Sequence, residues 1–149
     1  MSRDPYRLQA FTLADDLVLD AYRATQGFPD AERFGLLSQI RRSAVSVPAN
    51  LVEGCARRSQ RDYLHFVAIA IGSASEVRYL IGLAVRLGFA VPADGDRLKI
   101  GYSHVIRALQ ALVNSLTRRD PRSEARGLKP AHSQTSAPIV ASSGRAAKR

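Results

Sequence analysis

SQIRRSAVSVPANLVEG, residues 38–54, is the stretch whose reading decides the fold. Ile40, Ala44, Val47 and Leu51 recur at steps of four and three, the spacing of one face of an α-helix. Pro48 lies inside that run. A proline there removes its own donor, frees the carbonyl of Ala44 and costs about 3 kcal/mol in a helix interior. The apolar phase nevertheless passes through Pro48 without slipping, whereas an intervening loop would usually reset it. A continuous, kinked helix is therefore expected. The alternative is one helix ending near Ser46 and a second opening at Pro48, because proline suits a first turn.

Winding this helix at about 100° per residue puts Gln39, Ser43, Ser46, Asn50 and Glu53 in one band, with Arg42 at its edge. The band is small, mostly uncharged and hydrogen-bonding. Three readings stay open: it answers the carbonyl freed by Pro48, it faces a second subunit, or it is plain surface with few charges. Arg41 falls instead among Phe34, Val45 and Val52. An arginine in apolar company is commonly paired with an acid, and Glu53 or Glu76 is the expected partner.

Outward from this segment, helical periodicity continues and sustained alternation is absent. Upstream, Phe11, Ala14, Val18, Ala21, Thr25 and Phe28 mark a first helix, punctuated by Gly27 and Pro29. The second is expected from about Ala31 to Arg57, with Leu37, Ile40, Ala44, Val47, Leu51 and Cys55 inward. Ser59 and Asp62 form a [ST]-x-x-[DE] start for a third, striped by Tyr63, Phe66, Ala70, Ala74, Val77, Ile81 and Ala84. Gly88 and Pro92 close it. Leu98, Tyr102, Val105, Leu109, Leu112 and Leu116 form the seam of a fourth. Four amphipathic helices with short connections pack as an all-α, antiparallel, up-down-up-down four-helix bundle over residues 1–119. The small residues of AIAIGSAS, 68–75, let another helix approach closely. Packing within the bundle or against a second subunit is expected to offset the helix cost of Gly72 and Gly82.

The chain has 149 residues and a net charge of +9, from 22 Lys and Arg against 13 Asp and Glu. Only Lys99, Lys129 and Lys148 are lysines. Guanidinium forks suit phosphate and carboxylate, so an anionic partner is one explanation and an Arg-rich proteome the other. From Asp120 to Arg149 the composition turns to Pro, Ser, Ala, Gly and Arg with no aromatic residue. Such a stretch cannot offset its ordering entropy by burial and reads as a disordered basic tail. Cys55 is the single cysteine, which fits a reducing cytoplasm and rules out an intramolecular disulfide. The N-terminus does not read as a signal peptide. The apolar run FVAIAIG, 66–72, is too short to span a bilayer and soon meets Glu76 and Arg78, so no membrane role is expected.

ERFGLLSQIRRSAVSVPANLVEG, 32–54, and RRSQRDYLHFVAIAIGSASEV, 57–77, resemble the bacterial four helix bundle proteins encoded in 23S rRNA intervening sequences. Accessory proteins of diversity-generating retroelements are similar to the same group. The likeness spans roughly residues 8–118 and centres on QIRR-x-x-x-S-x-P-x-N-x-x-EG; FP at 28–29 and GS at 72–73 also match. The first helix departs, since ADDLVLDAY, whose one aromatic residue is Tyr22, lacks the further aromatic residue expected there. The resemblance implies a homopentameric ring, a basic surface that meets nucleic acid and, for the retroelement members, contact with a reverse transcriptase. Gln39, Arg41, Ser46, Pro48, Asn50, Glu53 and Gly54 fall on the family motif and are candidates for the oligomer interface.

No catalytic constellation stands out. His65, His104 and His132 are isolated, Cys55 lies on a core stripe, and there is no H-E-x-x-H, Gly-rich phosphate loop or flanked nucleophile. Asp15, Asp16 and Asp20 form only a turn of negative surface. No catalytic residue, metal site or cofactor is expected. Arg57, Arg58 and Arg61 cluster at the turn before the third helix, near its positive N-terminal end, and are expected to contact phosphate; their alternative is solvated charge. Arg42 is a further candidate, and Arg118 and Arg119 begin the tail. The expected function is a non-catalytic, oligomeric bundle that binds RNA or DNA through arginine-rich surfaces. The alternative is a protein–protein adaptor, such as a reverse-transcriptase accessory factor.

Overall fold

The computed structural model describes residues 3–118. Four α-helices follow one another: α1 (Gln9–Ala24), α2 (Leu36–Cys55), α3 (Gln60–Arg86) and α4 (Pro92–Arg118), with short 3-10 turns at Pro5–Arg7 and Asp30–Glu32. α1 packs against α2 and α4, and α3 packs against the same two, while the backbones of the diagonal pairs stay apart. This closed square is the up-down-up-down bundle that the four stripes require. The expected tail, 120–149, lies outside the described residues.

The core follows the stripes. Ala14, Ala21, Ile40, Ala44, Val47, Leu51, Ala70, Ala74, Val77, Ile81, Leu98, Tyr102, Val105 and Leu109 are fully or almost fully buried. Leu17, Val67 and Leu80 join them, because a core-facing helix in a square bundle meets two neighbours and buries a wider stripe than one seam. α3 makes the same point. It is long and apolar enough, with mean hydropathy 1.4 over 18 residues, to meet the length and composition of a membrane span. The expectation that no segment reaches that length is corrected. In the bundle, α3 lies between α2 and α4.

α2 runs unbroken through Pro48, which is buried within it. The helix starts later than the spacing suggested, at Leu36 rather than near Ala31. The reason lies in Glu32, whose carboxylate folds back and accepts the N–H of Leu36 at 2.9 Å. That caps one of the orphan donors of the first turn. A Cβ on Gly35 would stand 2.8 Å from the same carboxylate oxygen. Residues 33–35 are thereby held as a turn, with Phe34 pointing outward.

The other boundaries use recognisable devices. Ser59 accepts the N–H of Asp62 at 3.0 Å and caps α3. At its far end Gly88 adopts φ 75°, and the N–H groups of Gly88 and Phe89 return to the carbonyls of Val85 and Ala84 at 3.0 and 2.9 Å. This is the double closure of a Schellman motif. Pro92 opens α4 rather than ending α3, in keeping with the welcome a first turn gives to proline. Phe28 and Phe89 then pack ring to ring across the end of the bundle, 6.0 Å between centroids.

Close helix approach occurs elsewhere than expected. Gly72 and Gly82 have nothing within 4 Å of a would-be Cβ, so packing inside the bundle does not compensate them. Gly54, Gly95 and Gly101 carry the close contacts. A Cβ at Gly54 would lie 3.0 Å from Phe66 Cβ, at Gly95 2.4 Å from Val85 and at Gly101 2.5 Å from Leu17.

Candidate nucleic-acid interface

The motif residues of α2 divide by direction. Ser46 and Asn50 turn toward α3: Ser46 Oγ is hydrogen-bonded to Ser73 Oγ at 2.8 Å. The Asn50 amide donates to the Ser46 carbonyl and hydroxyl at 2.7 and 2.9 Å. The band therefore satisfies Ser46 and its neighbour across the α2–α3 seam; these bonds do not go to the Ala44 carbonyl. Ser43 and Pro48 are buried, and Ser46 and Asn50 are half-buried within one chain. Only Gln39 and Glu53 of this set remain exposed, so the flank is not free as a whole to face a neighbour. Gly54 provides the close crossing of α2 on α3.

Arg41 turns the other way, and its expected acidic partner is corrected. Its Nε donates to Thr25 Oγ1 at 2.9 Å, and Nη2 reaches the Tyr22 carbonyl at 3.4 Å. Its guanidinium lies 4.5 Å from the centroid of the Tyr22 ring. Thr25 is fully buried and its hydroxyl donates back to the Ala21 carbonyl at 2.9 Å. Arg41 thus supplies donors to the C-terminal end of α1, where carbonyls lack helical partners and a positive charge is favoured.

The turn between α2 and α3 holds Arg57, Arg58 and Arg61, all exposed. Arg57 is ion-paired with Glu53, one helical turn back, and lies over the Phe66 ring at 4.8 Å. Arg58 and Arg61 make no ion pair among the described residues. The adjoining α3 N-terminus is occupied by its own groups, since Ser59 caps it and Asp62 stands in its first turn. The N-terminal attraction for an outside anion is reduced accordingly.

A different surface gathers the same chemistry more densely. An open groove of about 510 Å³ runs between the end of α1 and the start of α2, lined by Tyr22, Arg33, Phe34, Ser38, Arg41 and Arg42, together with Leu37 and Val45. None of the lining residues is acidic. Phe34 is 90% exposed and Tyr22 41%. The Arg33 guanidinium lies 5.6 Å from the Phe34 ring centroid, and Arg42 reaches the Ser38 hydroxyl at 3.5 Å. Of the sequence candidates only Arg41 and Arg42 line this groove; Arg57, Arg58 and Arg61 do not. Tyr22 and Arg33 were missed, and Phe34 was noted only as a neighbour of Arg41. The available signal was the dipeptide Arg33–Phe34 just ahead of an uncharged first turn, in a segment read as helix.

Elsewhere the chemistry is quiet. Burial pushes the Cys55 thiol above its ordinary range, as befits a small apolar packing group. Among the described residues no group of three or more His, Cys, Asp or Glu could hold a metal ion. Asp20, part of the acidic turn on α1, pairs with Arg23 at 3.2 Å and approaches Arg97 at 4.0 Å.

These features define a small all-α bundle in which Ser46, Pro48, Asn50 and Gly54 of the motif pack within the chain and Arg33, Arg41 and Arg42 line an open, acid-free groove. The chain belongs to the family described as 23S rRNA-intervening sequence protein, whose model matches residues 6–111. Its fold is similar to the crystal structure of a protein of unknown function from the S23 ribosomal protein family of Bacteroides thetaiotaomicron. The TM-score is 0.65 at 18% sequence identity, covering 70% of this chain and 95% of that one. No curated protein matches the chain. Neither match brings in a catalytic family.

Proposed function

We propose that this protein is a non-catalytic bundle that assembles with copies of itself and binds nucleic acid with little regard for sequence, in a cytoplasmic setting. The carrying observation is the α1–α2 groove, where three guanidinium groups and two exposed aromatic rings meet without a carboxylate. Arg41 is held by α1, so Arg33 and Arg42 are the groups free to meet phosphate. Exposed Arg58 and Arg61 extend the basic surface at the other end of α2. The net charge of +9 favours the approach of a polyanion over long range. Assembly is supported by the outer face of α3, where Gly72 has open space above it and Tyr79 is exposed. That same face would serve an adaptor for a partner protein.

Binding of this kind releases counterions and weakens steeply with salt. Fluorescence anisotropy with a labelled RNA and a labelled DNA duplex, at low and physiological ionic strength, tests it. Salt-sensitive binding of either is the expected result; failure of both at low salt would remove the proposal.

A further inference from the structure

We infer that the α1–α2 groove takes single-stranded nucleic acid, with an unpaired base lying on the Phe34 ring and the adjoining phosphates held by Arg33 and Arg42. The inference rests on the nucleic-acid reading above and names the form of ligand at that site. Its first support is exposure. Phe34 is 90% exposed, an apolar ring left in water on the lining of a groove. Glu32 and Gly35 meet in the turn that presents it: the carboxylate accepts the Leu36 N–H at 2.9 Å, and a Cβ at Gly35 would stand 2.8 Å from that oxygen and displace it.

The second support is the company the ring keeps. Arg33 stands 5.6 Å from it on one side. Arg42, Ser38 and the half-exposed Tyr22 line the same groove. Rings beside cations in one groove are the pattern by which proteins hold single strands, since every base has a π-face and every linkage a negative charge. The lack of an acidic side chain in the lining removes the repulsion that would oppose a phosphate.

Geometry separates single strands from duplexes. In a duplex each base is covered above and below by its neighbours, and only the backbone and groove edges are offered to a protein. A protruding phenyl ring gains nothing there unless a base step is opened, which costs energy. An unpaired base lies on Phe34 without that cost. Single strands are therefore preferred, and the preference belongs to the ring, whereas the salt dependence belongs to the arginines.

The chain contains no tryptophan, so Phe34→Trp installs a single indole, excited apart from the tyrosines, at the proposed stacking position. The full-length protein and its Phe34→Ala, Phe34→Trp and Arg42→Ala variants are titrated with a labelled oligothymidylate and with a labelled mixed-sequence duplex, and the mass of each variant in solution is measured. Phe34→Ala is expected to lose about tenfold or more in affinity for oligothymidylate, with duplex affinity held within twofold. Phe34→Trp keeps the single-strand affinity, and its indole emission is quenched on binding. Arg42→Ala weakens both ligands and lowers the salt slope by about one. Equal binding of both ligands by wild type and Phe34→Ala would overturn the stacking inference and leave nucleic-acid binding intact. A change in assembly mass in Phe34→Ala would also overturn it, by assigning the ring to a subunit contact. Binding of neither ligand at low salt would remove the nucleic-acid reading itself.

Discussion

Arg41 and Arg42 are adjacent in sequence and opposite in use. Arg41 gives its donors to Thr25 and to the Tyr22 carbonyl and lays its charge over the Tyr22 ring, so it fastens α2 to the end of α1. Arg42 stays exposed, with one long contact to Ser38. Replacing Arg41 by Ala removes two hydrogen bonds and a cation–π contact from a half-buried place and is expected to cost about 1–3 kcal/mol. Arg42→Ala is expected to change stability by less than about 0.5 kcal/mol, as surface substitutions do. Urea denaturation followed by circular dichroism separates the two. A sequence reader sees two identical side chains; the 100° turn between them already put Arg41 in apolar company. What could not be read was its partner, because Thr25 and a main-chain carbonyl carry no charge to betray them.

At the scale of the element, glycine gives the sharpest contrast. Gly54 sits where α2 crosses α3, and an added Cβ would press on Phe66 at 3.0 Å and on Tyr63 at 3.3 Å. Gly72 meets nothing within 4 Å. Gly54→Ala is expected to destabilise the chain by about 1–3 kcal/mol through overpacking, whereas Gly72→Ala should stabilise the isolated bundle by up to about 1 kcal/mol through helix propensity. Thermal unfolding of both variants checks the pair. A loss of assembly mass in Gly72→Ala would assign that glycine to a subunit contact. The periodicity of the four helices was legible because apolar residues recur at three and four over several turns. The start of α2 was not, because residues 31–35 read equally well as helix and are claimed instead by Glu32, whose side chain ends the matter by capping Leu36. The small residues of 68–75 were visible too, but spacing alone does not say which helix comes near.

For the molecule as a whole, burial of weak acids sets the response to alkali. Cys55 and Tyr63 are held above their ordinary values of 9.0 and 10.0, chiefly by loss of solvent, and Tyr102 is pushed up strongly for the same reason. All three favour the neutral form in the folded state. The unfolded chain gives up these protons first, so their contribution to stability is whole below about pH 9 and falls as the pH climbs beyond it. Urea midpoints should hold between pH 7 and 8.5 and decline through pH 10 and above; a midpoint that rose over that range would contradict the burial of these groups. The bundle, its stripes and its basic character were all legible in the sequence. The groove was not, since it joins residues 22, 33, 34, 37, 38, 41, 42 and 45 from two helices and a turn. The Glu32 latch draws a border between two jobs. Downstream of it, changes to the buried stripe of α2 disturb the interior, and a screen for lost binding among those positions would mostly harvest misfolded protein. Within the loop it closes, Arg33 and Phe34 ride exposed on the prow, so an engineer could exchange the cargo by rewriting two letters and leave the hull as it stands.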